Sequence, residues 1–306
     1  MTTPYRRARA LARQGILAWY RTPLAKRIYE TKAALVLPRR GFWPARAYRP
    51  STRSWVDCID DQLDTLCIFI GYARSGHTAL AAVINGHPEA VIAHELDLVR
   101  WVGHGVSREH LVALIAERDR WFDGRDRTWE TYSYRVPGAT HGGNRVRVIG
   151  DKMAMVTTRR LVNNPQALDQ LRSTFGLRLR VINVVRNPFD NITTASRKQN
   201  MTLDAGISWY ARLSQSVREL TEQLHSDELL TIRHESLIAS PHSELERVWD
   251  FLSVTPGGSY VENAPAFLAR SPGRWRTNLP WTATDIHRVD ALITDYEHLS
   301  GYTFDS

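Results

Sequence analysis

The stretch Leu66-Cys67-Ile68-Phe69-Ile70-Gly71-Tyr72-Ala73-Arg74-Ser75-Gly76-His77-Thr78 is an apolar strand pattern that breaks into a loop bracketed by two glycines. A helical pattern takes over at Ala79–Asn85. The loop reads G-x-x-x-x-G-x-T, the spacing of a phosphate-cradling loop. Glycines at these positions let the backbone turn several N–H groups toward one anion. The helix that follows adds unpaired donors and its positive end. Thr78 supplies a hydroxyl and Arg74 a permanent charge. His77 stands where a nucleoside-triphosphate hydrolase places the lysine that reaches the β- and γ-phosphates. The loop therefore suits a 5′-phosphate better than a triphosphate–magnesium complex. A glycine turn that only joins a strand to a helix is the plainer reading of the same residues.

Outward from this loop the chain alternates strand and helix patterns, which predicts an α/β fold with a central parallel sheet flanked by helices. Strands are expected at Leu66–Gly71, Ala90–Ala93, Arg145–Ile149, Leu179–Val185 and Leu229–Arg233. Helical patterns cover Thr78–Asn85, Arg108–Arg118, Asn164–Phe175, Phe189–Gln199, Leu203–Gln223, His242–Leu252 and Thr284–Leu299. Segment 119–144, rich in Gly, Thr, Tyr and Arg, reads as a long insertion or lid loop.

Charge divides the chain. Residues 1–56 hold thirteen Arg or Lys against one acid, Glu30, a net of +12; the other 250 residues net −4. We therefore expect a basic helical N-terminal extension over 1–60 and one domain over 61–306. Ile16, Leu17, Trp19, Tyr20, Leu24, Ile28 and Leu35 offer an apolar stripe among the arginines. Such a helix either rests on an anionic membrane surface or acidic partner, or packs on the body with a solvated outer face. The acidic body argues against nucleic acid as a partner. No run of 18 apolar residues exists, so no membrane span is expected. Two cysteines make no disulfide framework, which points to a reducing, cytoplasmic setting. Arginine outnumbers lysine 36 to 4, a bias consistent with a GC-rich bacterial genome.

In an open parallel sheet, ligands bind beyond the carboxyl ends of the strands. Four polar clusters fall at such ends: the Gly71–Thr78 loop, His94-Glu95-Leu96-Asp97, Gly150-Asp151-Lys152 and Arg186-Asn187-Pro188-Phe189-Asp190. One site built from all four is the simplest account. At the last, Pro188 suits a first helical turn and Asn187 a cap. Arg186 and Thr194, two turns on, could together hold a second anion; an Arg186–Asp190 ion pair is the alternative.

These motifs resemble the PAPS-dependent sulfotransferases, which use 3′-phosphoadenosine 5′-phosphosulfate (PAPS) as donor. The resemblance rests on G-x-x-R-S-G-x-T after one strand and R-N-P-x-D after a later one. Supporting matches are N-G-H-P at Asn85–Pro88, G-D-K-M at Gly150–Met153, E-S-L followed by a helix ending D-F-L within Glu235–Leu252, and G-R-W-R at Gly273–Arg276. It covers about residues 64–300 and implies a P-loop NTPase-like sulfotransferase fold of the bacterial or carbohydrate type. It further implies that Arg74, Ser75, Gly76, His77 and Thr78 bind the 5′-phosphosulfate. Arg186 and Thr194 would bind the 3′-phosphate, and Arg274 and Arg276 would close over the nucleotide. His77 departs from the commoner Thr or Ser.

The resemblance also implies metal-free sulfuryl transfer to a hydroxyl, leaving the desulfated product PAP. Glu95 is the expected base, ahead of His94 as second candidate and Asp97 as a distant third; a salt bridge from Glu95 to an arginine is the alternative. Lys152 is expected to contact the transferring sulfate, or else to pair with Asp151. The competing functions are a P-loop kinase, which His77 disfavours, and a basic membrane- or nucleic-acid-associated binding protein. Trp101, Trp121, Trp129, Tyr132 and Tyr134 are expected either at the acceptor site, for a lipid, glycoside or other small molecule, or in packing. A homodimer is left open.

Overall fold

The computed structural model describes residues 50–139, 145–255, 260–268 and 274–306. The chain divides into two compact units, Met1–Arg46 and Ala47–Ser306. Of the basic helical extension expected over 1–60, residues 1–49 lie outside the described residues, as do residues 140–144 and Gly273.

Seven strands are described: β1 Thr65–Gly71, β2 Ala90–His94, β3 Thr128–Trp129, β4 Tyr132–Ser133, β5 Val148–Lys152, β6 Arg178–Val185 and β7 Leu229–Arg233. The main sheet has the order β2-β5-β1-β6-β7, and its neighbouring strands are parallel. The helices that matter below are α1 Pro50–Ile59, α2 His77–Asn85, α3 Leu98–Gly103, α4 Arg108–Asp123, α5 Met155–Asn163, α6 Ala167–Phe175, α7 Pro188–Gln199 and α8 Leu203–Thr221. They are followed by α9 His234–Ala239, α10 Pro241–Leu252, α11 Tyr260–Leu268 and α12 Ala283–Asp295.

The apolar run that reads as β1 is buried along its whole length because both faces of the sheet are covered. Leu66, Ile68 and Ile70 join Val91, Ile149 and Val181 in one core, together with Val56 and Ile59 of α1. Cys67 and Phe69 face the opposite core with Val83 of α2 and Trp249 of α10. Burying each such aliphatic or aromatic side chain contributes about 1.5–3 kcal/mol. A third cluster joins Val185, Phe189, Ile207 and Ile293, and fixes α7 against α8 and α12.

Three expectations are corrected. The third strand runs Val148–Lys152, not Arg145–Ile149, so Gly150-Asp151-Lys152 is strand and not the loop beyond it. Its ladder continues through Ala93↔Asp151 and His94↔Lys152. Gly150 permits this, because a Cβ there would collide with the Cys67 carbonyl of the adjacent strand. Second, the helix expected over Asn164–Phe175 begins at Ala167, and α5 precedes it as a separate element. Third, segment 119–144 is not one loop. α4 continues to Asp123 because its buried stripe extends from Leu111 and Ile115 to Asp119 and Phe122, and the β3–β4 hairpin follows.

Candidate active site

The parallel sheet delivers four loops to one edge. Glu95, Arg186 and His234 are the first residues past β2, β6 and β7, and the glycine loop follows β1. Arg74, Gly76, His77 and Thr78 of that loop line a cavity of about 670 Å³ with Glu95, Arg186, Thr194 and His234. The other wall is Trp129, Tyr132 and Tyr134 of the hairpin region, with Arg197, Lys198 and Trp275.

The loop is held from behind. Gly71 N–H donates to Thr158 Oγ1 (2.9 Å), and the Ser75 hydroxyl donates to the Tyr72 carbonyl (2.9 Å). Gly76 adopts φ 96°, and a Cβ there would strike the ring of His234, so the close approach admits only glycine. His77 is buried with its Nδ1 3.3 Å from the Ser75 hydroxyl. Burial, then the charges of Lys152 and Arg74, push its pKa down to about 3. The imidazole is therefore neutral, and the loop's permanent charge is that of Arg74.

At the ends of β2 and β5, Glu95 lines the cavity, whereas Lys152 lines a separate small pocket with His94 and Phe122. The Asp151 carboxylate accepts the N–H groups of Leu96 (2.9 Å) and Leu98 (3.0 Å), which fixes the turn after β2. Burial still raises its pKa to about 6. That turn places Glu95 in the left-handed region, φ 57°. Lys152, 1% exposed, donates from Nζ to Glu95 Oε1 at 3.0 Å. Neither pairing expected as an alternative forms: Glu95 meets a lysine, and Lys152 meets Glu95 in place of Asp151. Asp97 is engaged by the guanidinium of Arg160. His94 is not brought to the cavity. Its ring stacks on Phe122 at 4.0 Å and meets the edge of Trp129, and burial followed by the Lys152 charge pushes its pKa down to about 2.

At the end of β6, Asn187 caps α7, accepting from Phe189 N–H at 3.0 Å, with Pro188 at the first turn. Arg186 is buried and donates from Nη1 to the Arg74 carbonyl (3.4 Å), linking the end of β6 to the glycine loop. Thr194 donates to the Asp190 carbonyl (2.7 Å) while lining the cavity. Asp190 does not form an ion pair with Arg186. It takes Arg276, through the backbone N–H (2.8 Å), Nε (3.1 Å) and Nη2 (2.8 Å).

Arg276 stands apart from the cavity lining. Its guanidinium is a buried brace, bonded also to the carbonyls of Thr303 and Phe304, and does not reach the cavity. Arg274 is exposed and lines no part of it, whereas Trp275 between them does. The cause is the 3₁₀ turn Trp275–Asn278, which sends alternate side chains in different directions.

Of the five aromatics expected at the acceptor site or in packing, Trp129, Tyr132 and Tyr134 line the cavity. Trp101 packs on the core, and Trp121 lies under Arg118 at 3.9 Å. Sequence reasoning missed Arg197, Lys198, His234, Trp275 and Glu130. Arg197 and Lys198 were findable, being three and four residues past Thr194 on one helix. Glu130 was not, since nothing local marks it. Its carboxylate accepts from Arg74 Nη1 (3.0 Å) and Nη2 (2.6 Å) and from Lys198 Nζ (2.7 Å). Among the described residues, no group of three or more His, Cys, Asp or Glu is placed to hold a metal ion, and no helix is long and apolar enough to cross a membrane.

Comparison with known proteins gives the following. A search of curated proteins finds no match. Among similar solved structures is the sulfotransferase domain of the Synechococcus PCC 7002 olefin synthase, with 18% identity, 76% of this chain and 94% of that one covered, and a TM-score of 0.47. Mouse sulfotransferase SULT7A1 complexed with PAP shows 17% identity, 79% and 87% coverage, and a TM-score of 0.41. Sulfotransferase STF9 from Mycobacterium avium shows 9% identity, 80% and 81% coverage, and a TM-score of 0.45. The model of the sulfotransferase family matches residues 68–255, more than half of the sequence, and the chain belongs to that family.

Proposed function

We propose that this enzyme moves the sulfuryl group of PAPS to a hydroxyl of a small-molecule acceptor by in-line attack, with Glu95 as the base. The observation that carries the reading is Glu95, which lines the cavity together with the glycine loop, Arg186 and Thr194 and is paired at 3.0 Å with the buried Lys152. The donor set suits a nucleotide that is anionic at both ends. Loop amides and Arg74 face one end; Arg186 and the Thr194 hydroxyl face the other. An arginine–phosphate contact near 4 Å is worth about 1–4 kcal/mol in a partly wet site. The cavity volume lies within the range usual for small-ligand sites.

Glu95 withdraws the proton from the acceptor hydroxyl. The acceptor oxygen then bonds to sulfur as the bond from sulfur to the bridging oxygen breaks, and PAP departs with that electron pair. Arg74 supplies positive charge to the oxygens that gain negative charge, and Lys152, buried beside Glu95 at the end of β5, adds its field from a position fixed by the sheet. Trp129, Tyr132 and Tyr134 offer flat faces to a lipid or glycoside acceptor. Glu95→Gln keeps PAP affinity and lowers turnover by about 10²–10⁴-fold, the usual contribution of general-base catalysis. Near-normal turnover in that variant would move the base elsewhere. PAP also raises the melting temperature of the wild type far more than ATP with magnesium does; equal shifts would overturn the donor assignment.

A further inference from the structure

We propose that Arg74 and Lys198 form one seat for an anionic group of the donor, and that the Glu130 carboxylate is its internal occupant, displaced when the donor binds. The inference rests on the donor reading above and adds Lys198 and Glu130 to the residues that set donor affinity.

Geometry carries it. Glu130 Oε2 accepts from both Arg74 Nη1 (3.0 Å) and Lys198 Nζ (2.7 Å), and Oε1 accepts from Arg74 Nη2 (2.6 Å). Two oxygens held by a guanidinium fork and an ammonium present the acceptor pattern of a phosphate or sulfate. The three side chains come from three elements: the loop after β1, the last turn of α7, and the tip of the β3–β4 hairpin. Both cations line the same cavity as Arg186 and Thr194, and Lys198 lies one helical turn past Thr194. The seat is thus continuous with the surfaces assigned to the donor.

Glu130 is poorly anchored by comparison. It sits at φ 55° in a hairpin held by two strand pairs, Thr128↔Ser133 and Trp129↔Tyr132. Arg74, Glu130 and Lys198 are 34%, 31% and 40% exposed, so water screens the contact and exchange for a stronger anion is easy. An incoming anion either displaces the carboxylate or meets its repulsion; in both cases Glu130 lowers donor affinity.

Calorimetric titration of the 306-residue chain with PAP tests this. Glu130→Gln tightens PAP roughly threefold to tenfold, the effect of removing two competing exposed ion pairs. Lys198→Ala weakens PAP about fivefold or more. In the Lys198→Ala background the gain from Glu130→Gln shrinks, because half of the competing contact is already gone. Unchanged or weaker PAP binding by Glu130→Gln, at an unchanged melting temperature, would overturn the inference by making Glu130 a support for Arg74. Unchanged affinity in Lys198→Ala would remove Lys198 from the seat and overturn it equally. A wild type that binds no PAP would strike the donor reading itself, and this seat with it.

Discussion

Two carboxylates, one lining the cavity and one held by two cations that line it, meet partners of different burial. Glu95 is paired to Lys152, which is 1% exposed at the end of β5, whereas Glu130 spans Arg74 and Lys198 at a rim where each is about a third exposed. The chemistry is the same and the consequences differ. Glu95 is itself 30% exposed, yet removing it strands the buried Lys152 ammonium, at a cost below the roughly 3–5 kcal/mol of breaking a fully buried pair. An exposed pair is worth about 0.2–1 kcal/mol and yields to salt or to a competing anion. Burial of the cation therefore separates a fixed floor at Lys152 from an exchangeable rim.

The largest effect expected from breaking that contrast is at the floor. Lys152→Met removes the charge beside Glu95 at little change of volume; turnover falls by about 10²–10³-fold, the scale of losing one preorganised electrostatic stabiliser. Steady-state rates check it, and a loss below tenfold would mean the floor is not where charge develops. Two arginines expected on the nucleotide sharpen the comparison next. Arg276→Ala strands Asp190 in the interior and lowers stability by about 3–5 kcal/mol, read by denaturant melts. Arg186→Ala weakens PAP by about ten- to a hundredfold with a smaller stability change, read by calorimetry. The reverse assignment of effects would mean that the brace and the ligand contact had been exchanged.

The smallest effect is one of pH. Burial pushes the imidazoles of His77, His94, His234 and His298 down to about 3, 2, 4 and 4, from the ordinary 6.5. The unfolded chain binds protons below pH 6.5 that the folded one still refuses. Stability is therefore full above pH 6.5 and falls as the pH drops toward 4, by at most about 1.4 kcal/mol per unit for each histidine. Glu130 has the same sign as this interior set but a lower pH window. Its hydrogen bonds to Arg74, ahead of those to Lys198, hold its carboxyl down at about 2, so its contribution is present above 4.5 and is lost only toward pH 2. Between pH 5 and 6.5 the melting temperature declines while the affinity gained by Glu130→Gln stays constant. A gain that vanished with the decline would tie the rim to the buried histidines.

Much of this was legible in the sequence where one residue type has one physical use. The apolar run of β1 can only be interior strand, and Asn187-Pro188 is a cap followed by a first-turn proline. Gly150-Asp151-Lys152 was misread because its letters are those of a turn. Only the neighbouring strands reveal that glycine is demanded by the Cys67 carbonyl and that Asp151 and Lys152 extend the ladder. Choosing between Arg186 and Arg276 required knowing which of them Asp190 reaches, a contact spanning 86 residues. Glu130 meets partners 56 and 68 residues away, across a two-residue hairpin tip, and no local periodicity encodes that.

The Asn187 amide that begins α7 also donates to the Thr303 carbonyl (2.9 Å) and meets the Ser306 hydroxyl (3.2 Å), while Arg276 grips the carbonyls of Thr303 and Phe304. The residue just before Asn187 is Arg186. Any label or surface attachment joined at Ser306 would therefore tug on the knot that aims this guanidinium. Workers immobilising the enzyme for donor-binding measurements should tether it by some other point.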